Sequence, residues 1–385
     1  MYKIDKMKKI GILTITDYVN YGNRLQNYAS QELLKSLGFE VESIVNVTIP
    51  EVETGMAFTM TRIKNALKLS PATIIKKISE KLDERKNHDK YLGGQRAKEK
   101  SFREFSEKYM RETDFTVSQK NIPTDLGERY DYVVVGSDQI WNPKIRYGSS
   151  IDFLTFAPKQ KRVALAPSFG VSSIPEKYAA RYAQWISEMA FLSVREQAGA
   201  DIIKNLTGLE APVHVDPTLM LTKEQWLSVA QPAKRKPTEK YLLTYFIGAV
   251  SKKRKQFLKD LAAKNNLKLV QLASLDDIER YDASPGEFID YIASSSLVCT
   301  DSFHAIIFSM QMERPFVVFD REGKSAVMSS RIDTLLSKFK FESRKLNNII
   351  NTGEYFKIDF NHLPEILEFE RKKVLEYLNK ALEIK

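Results

Sequence analysis

Residues 297–312 change from a strand pattern to a helix pattern across a short polar cluster. The apolar run LVC at 297–299 stops at TDS at 300–302, and apolar residues then recur every three or four positions. This pattern is typical of a buried strand that leads directly into a helix. His304 falls in the first turn of that helix, where free N–H groups and a partial positive charge favour anions. The junction therefore predicts a parallel sheet with an anion site at the carboxyl ends of its strands.

The same alternation of strand and helix opens each half of the chain. An apolar, β-branched run at 9–16 is followed by a loop, a helix pattern that ends at Gly38, and a second strand pattern at 39–45. In the second half, strand patterns at 241–247 and 267–272 enclose an amphipathic stretch in the same way. Strands that alternate with helices indicate parallel sheets. We therefore expect an α/β fold with two Rossmann-like domains facing a cleft.

The length of 385 residues suits two domains rather than one core. A connector rich in Pro and Lys at 231–240 places the boundary nearby, which gives an N-terminal domain of residues 1–222 and a C-terminal domain of residues 223–385 that ends in a long helix. Residues 51–128 are rich in Lys, Glu and Arg with helical periodicity, so we expect a helical insertion in the first domain. Such helices could cover the cleft or extend the surface, and we favour the second.

The composition favours a soluble protein with acidic partners. The formal net charge is +10, which suits phosphorylated metabolites, anionic lipid headgroups or nucleic acid. No zinc spacing, ribonucleoprotein motif or basic helix interleaved with aromatics supports a nucleic-acid partner. Without a bilayer-spanning apolar run or a signal-peptide pattern, the chain is expected to be cytoplasmic, and its charge also suits peripheral contact with an anionic membrane surface. The single cysteine, Cys299, lies in an apolar strand and is expected to be structural.

Six segments of the sequence are specific in combination, although each of them alone is a weak signal. They are NYGNRLQNYASQELLKSLGFEVESI near the N-terminus, DYVVVGSDQIWNP, APSFGVSSIP, LSVREQAGADII, HVDPTLMLTKEQW, and SPGEFIDYIASSSLVCTDSFHAIIFSMQMERPFVVF. Together they span roughly residues 8–345. In this order they resemble the polysaccharide pyruvyl transferase family.

The resemblance implies a fold like that of the B-type glycosyltransferases, and it implies an activity. Enzymes of this kind transfer the enolpyruvyl carbons of phosphoenolpyruvate to two hydroxyls of a sugar, which forms a pyruvate ketal and releases phosphate. Relatives serve capsule, exopolysaccharide or cell-wall polymer synthesis, so the expected acceptor is a sugar or a lipid-linked oligosaccharide. Phosphoenolpyruvate would be a co-substrate. We expect no cofactor and no metal, because the chain has no complete Gly-x-Gly-x-x-Gly, no Walker loop and no cluster of metal ligands.

Phosphoenolpyruvate carries a carboxylate and a phosphate, so its site needs cations and N–H donors. Arg195 follows a predicted buried strand, and its planar fork can hold either group through two hydrogen bonds. The resemblance assigns donor binding to this arginine and donor binding or catalysis to His304. Some relatives have a basic residue two places before that histidine, where this chain has Ser302, and Phe303 completes the predicted donor side. The structural alternatives are an ion pair of Arg195 with Glu196 or another nearby acid and a His304 ring bonded to a backbone carbonyl.

Ketal formation needs a proton for the methylene carbon of the donor and a base for the hydroxyl protons of the sugar. Asp138 and Asp301 each follow a predicted buried strand, so they join His304 as the catalytic candidates. Each also has a structural alternative. Asp301 can cap its helix, and Asp138 can order the GSDQIWNP turn.

Polar and aromatic side chains near two strand ends are the candidates for sugar binding. An indole face can stack on the C–H face of a sugar, although Trp141 can equally lie in the core. Gly22 permits close backbone approach or only makes a turn. The predicted sugar contacts are Asn20, Gly22, Asn23, Gln26, Ser137, Gln139 and Trp141.

Two other functions stay open. A glycosyltransferase that uses a nucleotide sugar has the same architecture, and the fold alone does not separate the two activities. The missing charge at Ser302 leaves a further hypothesis, a non-catalytic member of the family that binds glycan precursors. The sequence predicts neither the acceptor sugar nor the oligomeric state.

Overall fold

The computed structural model describes residues 7–49, 91–322 and 330–384, which form two parallel β-sheets. The strands of the first sheet are β1 (Lys9–Leu13), β2 (Glu40–Asn46), β3 (Glu112–Val117), β4 (Tyr132–Val135) and β5 (Arg162–Ala164), in the spatial order β3-β2-β1-β4-β5. Those of the second sheet are β6 (Tyr241–Tyr245), β7 (Lys268–Leu272), β8 (Leu297–Thr300) and β9 (Phe316–Val318), in the order β7-β6-β8-β9. The predicted α/β class with two Rossmann-like sheets is confirmed.

Helices connect the strands of both sheets. In chain order they are α1 (Tyr21–Ser36), α2 (residues 91–109), α3 (Pro143–Arg146), α4 (Glu176–Ser187), α5 (Gln197–Thr207), α6 (Lys223–Val229), α7 (Lys252–Lys264), α8 (Pro285–Ser294), α9 (Phe303–Gln311), α10 (Ser330–Lys338), α11 (Leu346–Ile349) and α12 (Leu363–Ala381). Gly208 ends α5 in the left-handed conformation that glycine adopts without strain.

The central strands β4 and β8 are buried along their whole length because helices cover both faces of each sheet. In each sheet the order of the strands reverses beside the first strand, between β1 and β4 and between β6 and β8. At such a reversal the connecting loops diverge and leave a crevice at the carboxyl ends of the strands. The loops that follow β4 and β8 therefore lie where a ligand of this fold would bind.

The two halves are joined by a shared apolar core. One continuous cluster of buried side chains contains residues of β1, α1 and α2 together with residues of β6, α8 and α9. Tyr21 of α1 is fully buried in this cluster, stacked on Phe288 of α8 with ring centroids 4.4 Å apart, and its hydroxyl donates to Ala283 O at 2.8 Å. This residue therefore anchors the first helix of one half in the core of the other.

The predicted helical insertion is only partly within the described residues, because residues 51–90 lie outside them. The described part of this segment differs from the prediction in two ways. Residues 112–117 are the edge strand β3, whose mixed polar sequence suits a partly exposed edge. Helix α2 contacts the second half, since Ser101 Oγ donates to Asp282 O at 2.9 Å and the Tyr91 ring lies 6.3 Å from that of Tyr281. It covers the seam between the halves and does not simply extend the surface.

Two other segments differ from or add to the sequence prediction. Residues 191–194, predicted as a strand, make only single bridges, Phe191 to Val163 and Val194 to Val213. The predicted terminal helix is present as α12, but it packs on the first half, where Arg371 donates to the carbonyl of Leu219. The boundary at residue 222 stays a prediction.

We predict that Tyr21→Ala lowers the free energy of unfolding by about 3–5 kcal/mol, because it removes a buried aromatic ring from the shared core. Tyr21→Phe should cost only about 1 kcal/mol, because it keeps the stacking and loses one hydrogen bond. Denaturant titration followed by tryptophan fluorescence measures both. Equal costs for the two variants would contradict the assigned role of the ring.

Candidate functional site

One buried carboxylate lies at the centre of the candidate site. Asp216 caps the short 3-10 turn Pro217–Leu219, and its Oδ1 accepts hydrogen bonds from Thr218 N at 3.0 Å and Thr218 Oγ1 at 2.7 Å. Its Oδ2 lies 2.5 Å from Arg195 Nη1 and 3.6 Å from His304 Nε2. The guanidinium of one half and the imidazole of the other therefore meet at the same oxygen, on a residue that is 1% exposed.

Asp216 is not among the site residues predicted from the sequence. The chain reaches it through the bridge of Val194 to Val213 and not through a full strand, so no strand pattern points to it. Its signal in the sequence is the Asp-Pro-Thr run, in which an aspartate precedes a proline that begins a helical turn.

Arg195 is buried and held between two carboxylates. Besides the bond to Asp216, its Nη2 lies 3.4 Å from Asp138 Oδ1, and its guanidinium lies 4.5 Å from the centroid of the Phe303 ring. Burial disfavours the charge, but Asp216 and Asp138 outweigh it and raise the pKa of Arg195. Arg195 is therefore a fixed cation.

Arg195 pairs with nearby acids, Asp216 and Asp138, as its structural alternative predicted, and not with Glu196. Its donor-binding role stays a prediction. Glu196 points to the loop after β5, where its Oε1 accepts from Ser168 Oγ at 2.9 Å, from Phe169 N at 2.9 Å and from Gly170 N at 3.2 Å. Its role is to hold that loop beside the site.

His304 lies in the first turn of α9 and contacts the start of α1. A Cβ added to Gly22 would lie 2.0 Å from His304 Nδ1, so only a glycine allows the ring this position. Its Nε2 is buried and has no hydrogen-bond partner among the described residues. The 3.6 Å to Asp216 Oδ2 is too long for a hydrogen bond and leaves an electrostatic contact. This nitrogen therefore has an unused hydrogen-bonding position within the described structure, and the predicted carbonyl-bonded alternative is not observed.

Asp138 lies beside Arg195 at the end of the loop that follows β4. Its Oδ2 accepts a hydrogen bond from Asn23 Nδ2 at 3.3 Å. Its backbone has a φ of 52°, a conformation that residues other than glycine rarely adopt. Burial raises the pKa of Asp138, but the charges of Arg195, His304 and Arg331 outweigh burial and lower it below its ordinary value. Asp138 is thus an anion at neutral pH.

Asp301 has a different task from the one predicted. Its two carboxylate oxygens accept from Ile247 N at 2.7 Å and from Gly248 N at 3.0 Å, so it orders the loop after β6. It does not cap α9 either. The cap is Ser302, whose side chain accepts from Ala305 N, so the serine at this position has a structural use.

The predicted sugar contacts divide into two groups. Ser137 Oγ lies 3.1 Å from Asp216 Oδ2, and Gly22, Asn23 and Gln139 also lie beside the cluster. Three others do not reach it. Asn20 is the N-cap of α1, Gln26 bonds inside the first half to Thr14 and Ser30, and Trp141 is fully buried.

The prediction that Trp141 stacks on a sugar is therefore wrong. Its ring is stacked on Phe153 with centroids 5.2 Å apart, and its Nε1 donates to Asp152 O at 2.8 Å. The indole satisfies both its apolar face and its one donor inside the core of the first half.

Within the described residues, no group of three or more His, Cys, Asp or Glu side chains is arranged to hold a metal ion. Nor does any helix in those ranges combine the length and the apolar character needed to cross a bilayer. Cys299 is buried and unpaired, and burial raises the pKa of its thiol, which agrees with a structural residue.

Comparisons with known proteins give a family. The family model described as polysaccharide pyruvyl transferase matches residues 20–323 of the chain. No curated protein sequence matches this chain.

Similar solved structures have low identity to this chain. A putative UDP-N-acetylglucosamine 2-epimerase from Listeria monocytogenes is 11% identical with a TM-score of 0.49, and the match covers 99% of this chain and 98% of that one. A glycosyltransferase from Streptomyces nogalater is 9% identical with a TM-score of 0.40, with 99% of each chain covered. A UDP-GlcNAc 2-epimerase from Neisseria meningitidis is 9% identical with a TM-score of 0.37, with 97% of this chain and 100% of that one covered.

We predict that Gly22→Ala displaces the His304 ring, because the added methyl group would overlap it. The free energy of unfolding should fall by about 1–3 kcal/mol. Gly93→Ala is the matched control, since a Cβ there meets nothing within 4 Å and lies on α2, and it should be neutral or stabilising by up to about 1 kcal/mol. Denaturant titration and the NMR shifts of His304 follow the two effects. An unmoved His304 signal in the Gly22 variant would contradict the contact.

Asp216 should also govern the acid stability of the protein. Burial raises the pKa of Asp216, but His304, Arg195 and the N–H of Thr218 together lower it well below its ordinary value. A carboxylate with a lowered folded-state pKa stabilises the protein fully above its unfolded pKa of about 3.9, and this stabilisation fades as the pH falls below that value.

We therefore predict that Asp216→Asn costs about 3–5 kcal/mol at neutral pH, because it leaves Arg195 buried with a weaker partner. Below about pH 4 the unfolding free energy of the native protein should fall more steeply than that of the variant, by up to about 1.4 kcal/mol per pH unit. Denaturant titrations at several values between about pH 3 and pH 7 measure how the unfolding free energy of each protein changes with pH, because this range includes the unfolded pKa of about 3.9. Parallel slopes would show that Asp216 is not ionised in the folded protein.

Proposed function

This chain belongs to the polysaccharide pyruvyl transferase family, and on that premise we propose that it transfers the enolpyruvyl group of phosphoenolpyruvate to sugar hydroxyls. The family predicted from the sequence is confirmed. The product would be a pyruvate ketal on a polysaccharide or on its lipid-linked precursor, with release of phosphate. The observation that supports the proposal is the convergence of Arg195 and His304, from two domains, on Asp216.

The donor would bind where these groups converge. Its phosphate and carboxylate are anions, and the fork of Arg195 and the free Nε2 of His304 are donors of the matching kind. Asp216 positions both of them from one oxygen, so a ligand there would meet a preorganised pair.

The reaction moves two protons, and at the central carbon of the donor two bonds form while two bonds break. The π electrons of the donor take a proton at the methylene carbon, two bonds form from the central carbon to sugar oxygens, and its bond to the phosphate oxygen breaks. One hydroxyl proton returns to the group that protonated the methylene carbon, and the other hydroxyl proton leaves with phosphate. His304 is the residue that would carry the first proton, because its Nε2 has no other partner in the described structure.

Asp138 would stabilise charge and would not act as the base. A carboxylate whose pKa lies below its ordinary value is a weak proton acceptor at neutral pH. The same anion, fixed next to Arg195 and Asn23, can stabilise positive charge that develops on the central carbon. Asp301, whose oxygens are both bonded to backbone N–H groups, has no part in this proposal.

The acceptor would approach from the loop after β1. Gly22 and Asn23 start α1 and contact His304 and Asp138 respectively, so a sugar bound along this loop would lie beside the donor. The net charge of +10 suits work at the anionic inner face of the membrane, where lipid-linked precursors are displayed. We extend the proposal to a cytoplasmic enzyme of that kind.

The experiment is a thermal-shift panel with phosphoenolpyruvate, a nucleotide sugar and inorganic phosphate, followed by phosphate release in the presence of candidate glycans. Phosphoenolpyruvate should raise the melting temperature. Arg195→Lys keeps the charge but loses the fork, and it should weaken binding by about tenfold or more. His304→Gln should abolish turnover, whereas His362→Gln, which changes a histidine bonded to Phe339 O at 2.9 Å, should leave it intact.

Other outcomes have defined meanings. Stabilisation by a nucleotide sugar alone would replace the proposal with a glycosyltransferase. A folded protein that responds to no ligand would favour a member of the family that binds glycan precursors without catalysis.

A further inference from the structure

A second buried arginine lies next to the first. Arg331 is on the first turn of α10 and is 3% exposed. Its guanidinium lies 5.8 Å from the centroid of the Phe303 ring, the same ring over which Arg195 lies at 4.5 Å. Two guanidiniums therefore share one aromatic side chain inside the candidate site.

The partners of the two arginines differ. Arg195 bonds to two carboxylates, whereas no carboxylate in the described ranges lies within ion-pair distance of Arg331. With its amide oxygen turned towards Arg331, Gln139 lies 3.3 Å from both Nη1 and Nη2. The buried Nε has no hydrogen-bond partner in the part of the chain that is described. Within the described ranges, the contacts of the Arg331 guanidinium are thus a neutral amide and the ring of Phe303.

The environment opposes the charge of Arg331. Burial and the neighbouring positive charge of Arg195 lower the pKa of Arg331 to about 10, against the attraction of Asp138 and Glu196. At neutral pH the group is still protonated, so it is a buried cation that is attracted by Asp138 and Glu196 but has no carboxylate of the described ranges in ion-pair contact. Such a cation costs stability unless an anion joins it.

A structural arginine in the same half has a different set of contacts. Arg344 is also 3% exposed, and burial also lowers its pKa to about 10. It donates to backbone carbonyl oxygens of Phe316, Tyr355, Lys357 and Glu354 at 2.8, 2.6, 3.0 and 3.4 Å. A guanidinium used for the fold is thus satisfied by the backbone, which Arg331 is not.

We propose that Arg331 is a second anion-binding residue of the candidate site and contacts one of two acidic groups of the ligand, while Arg195 and His304 contact the other. The ligand that fits this pair is a small molecule with a phosphate and a carboxylate, and naming it phosphoenolpyruvate rests on the proposed function. In this arrangement Phe303 contacts both cations and Gln139 orients the second. No strand pattern precedes Arg331, which is why the sequence did not indicate it.

The experiment compares Arg331→Met with Arg344→Met by calorimetric titration of phosphoenolpyruvate and by melting without ligand. Arg331→Met should weaken binding by about tenfold or more, because it removes a charge-assisted contact. Its melting temperature without ligand should be equal to or higher than that of the native protein, because a buried unpaired charge is lost. Arg344→Met should show the reverse, a lower melting temperature with unchanged affinity once folded.

A native-like affinity of Arg331→Met for phosphoenolpyruvate would overturn the inference. So would a failure of that variant to fold, because it would reveal a structural arginine, provided that Arg331→Lys, which keeps the charge, folds and binds as the native protein does. A folded Arg331→Lys with weakened binding would support the inference.

The two proposals can fail separately. If the native protein binds phosphoenolpyruvate and only the Arg331 effect is missing, the proposed function stands. If it binds inorganic phosphate or UDP-glucose but not phosphoenolpyruvate, the proposed function fails, and Arg331→Met is then titrated with that anion. A native protein that binds none of the three overturns both.

Discussion

The carboxylate of Asp216 is the interaction on which the candidate site depends. It is buried, and it satisfies one oxygen with Thr218 and the other with Arg195. Removing a carboxylate and a guanidinium from water is costly, and the cost is offset here by a close pair with further hydrogen bonds. Because His304 comes from the other half of the chain, the same oxygen also aligns the two domains. The geometry of the site and the packing of the halves are therefore set together.

Buried acids in this protein have two distinct uses. Glu196 and Asp301 accept from backbone N–H groups and fix the loops that frame the crevice. Asp138 and Asp216 face the cations inside it. The fixed loops are what allow the second pair to remain ionised while buried, since the hydrogen bonds and charges that stabilise them cannot move away. The apolar core around Tyr21 supplies the rigid support between the halves.

The spacing of apolar residues predicted the strands and helices that are buried. The buried strands β4 and β8, the junction at His304 and the two-sheet class all follow from short apolar runs that lead into helices. The strand β3 was missed because an edge strand can be polar, and α2 was misplaced because its contacts with Asp282 and Tyr281 are distant in the sequence.

Site residues were harder to predict than elements because their chemistry depends on neighbours that the sequence does not show. Asp138 and Asp301 have the same sequence context, each after a buried strand, yet only Asp301 is close to two free N–H groups. Asp216 and Arg331 follow no strand, and only the fold brings them to Arg195. The sequence pattern around a tryptophan near a strand end is the same whether the ring faces a ligand or, as in Trp141, the core.

The contact between Gly22 and His304 limits how members with this arrangement could diversify. A side chain at that position would collide with the imidazole, so Gly22 cannot be replaced while the His304 ring keeps its place. The same loop has an exposed residue, Val19, three positions earlier. Variation in this loop would then accumulate at its outer end, while its inner end stays fixed.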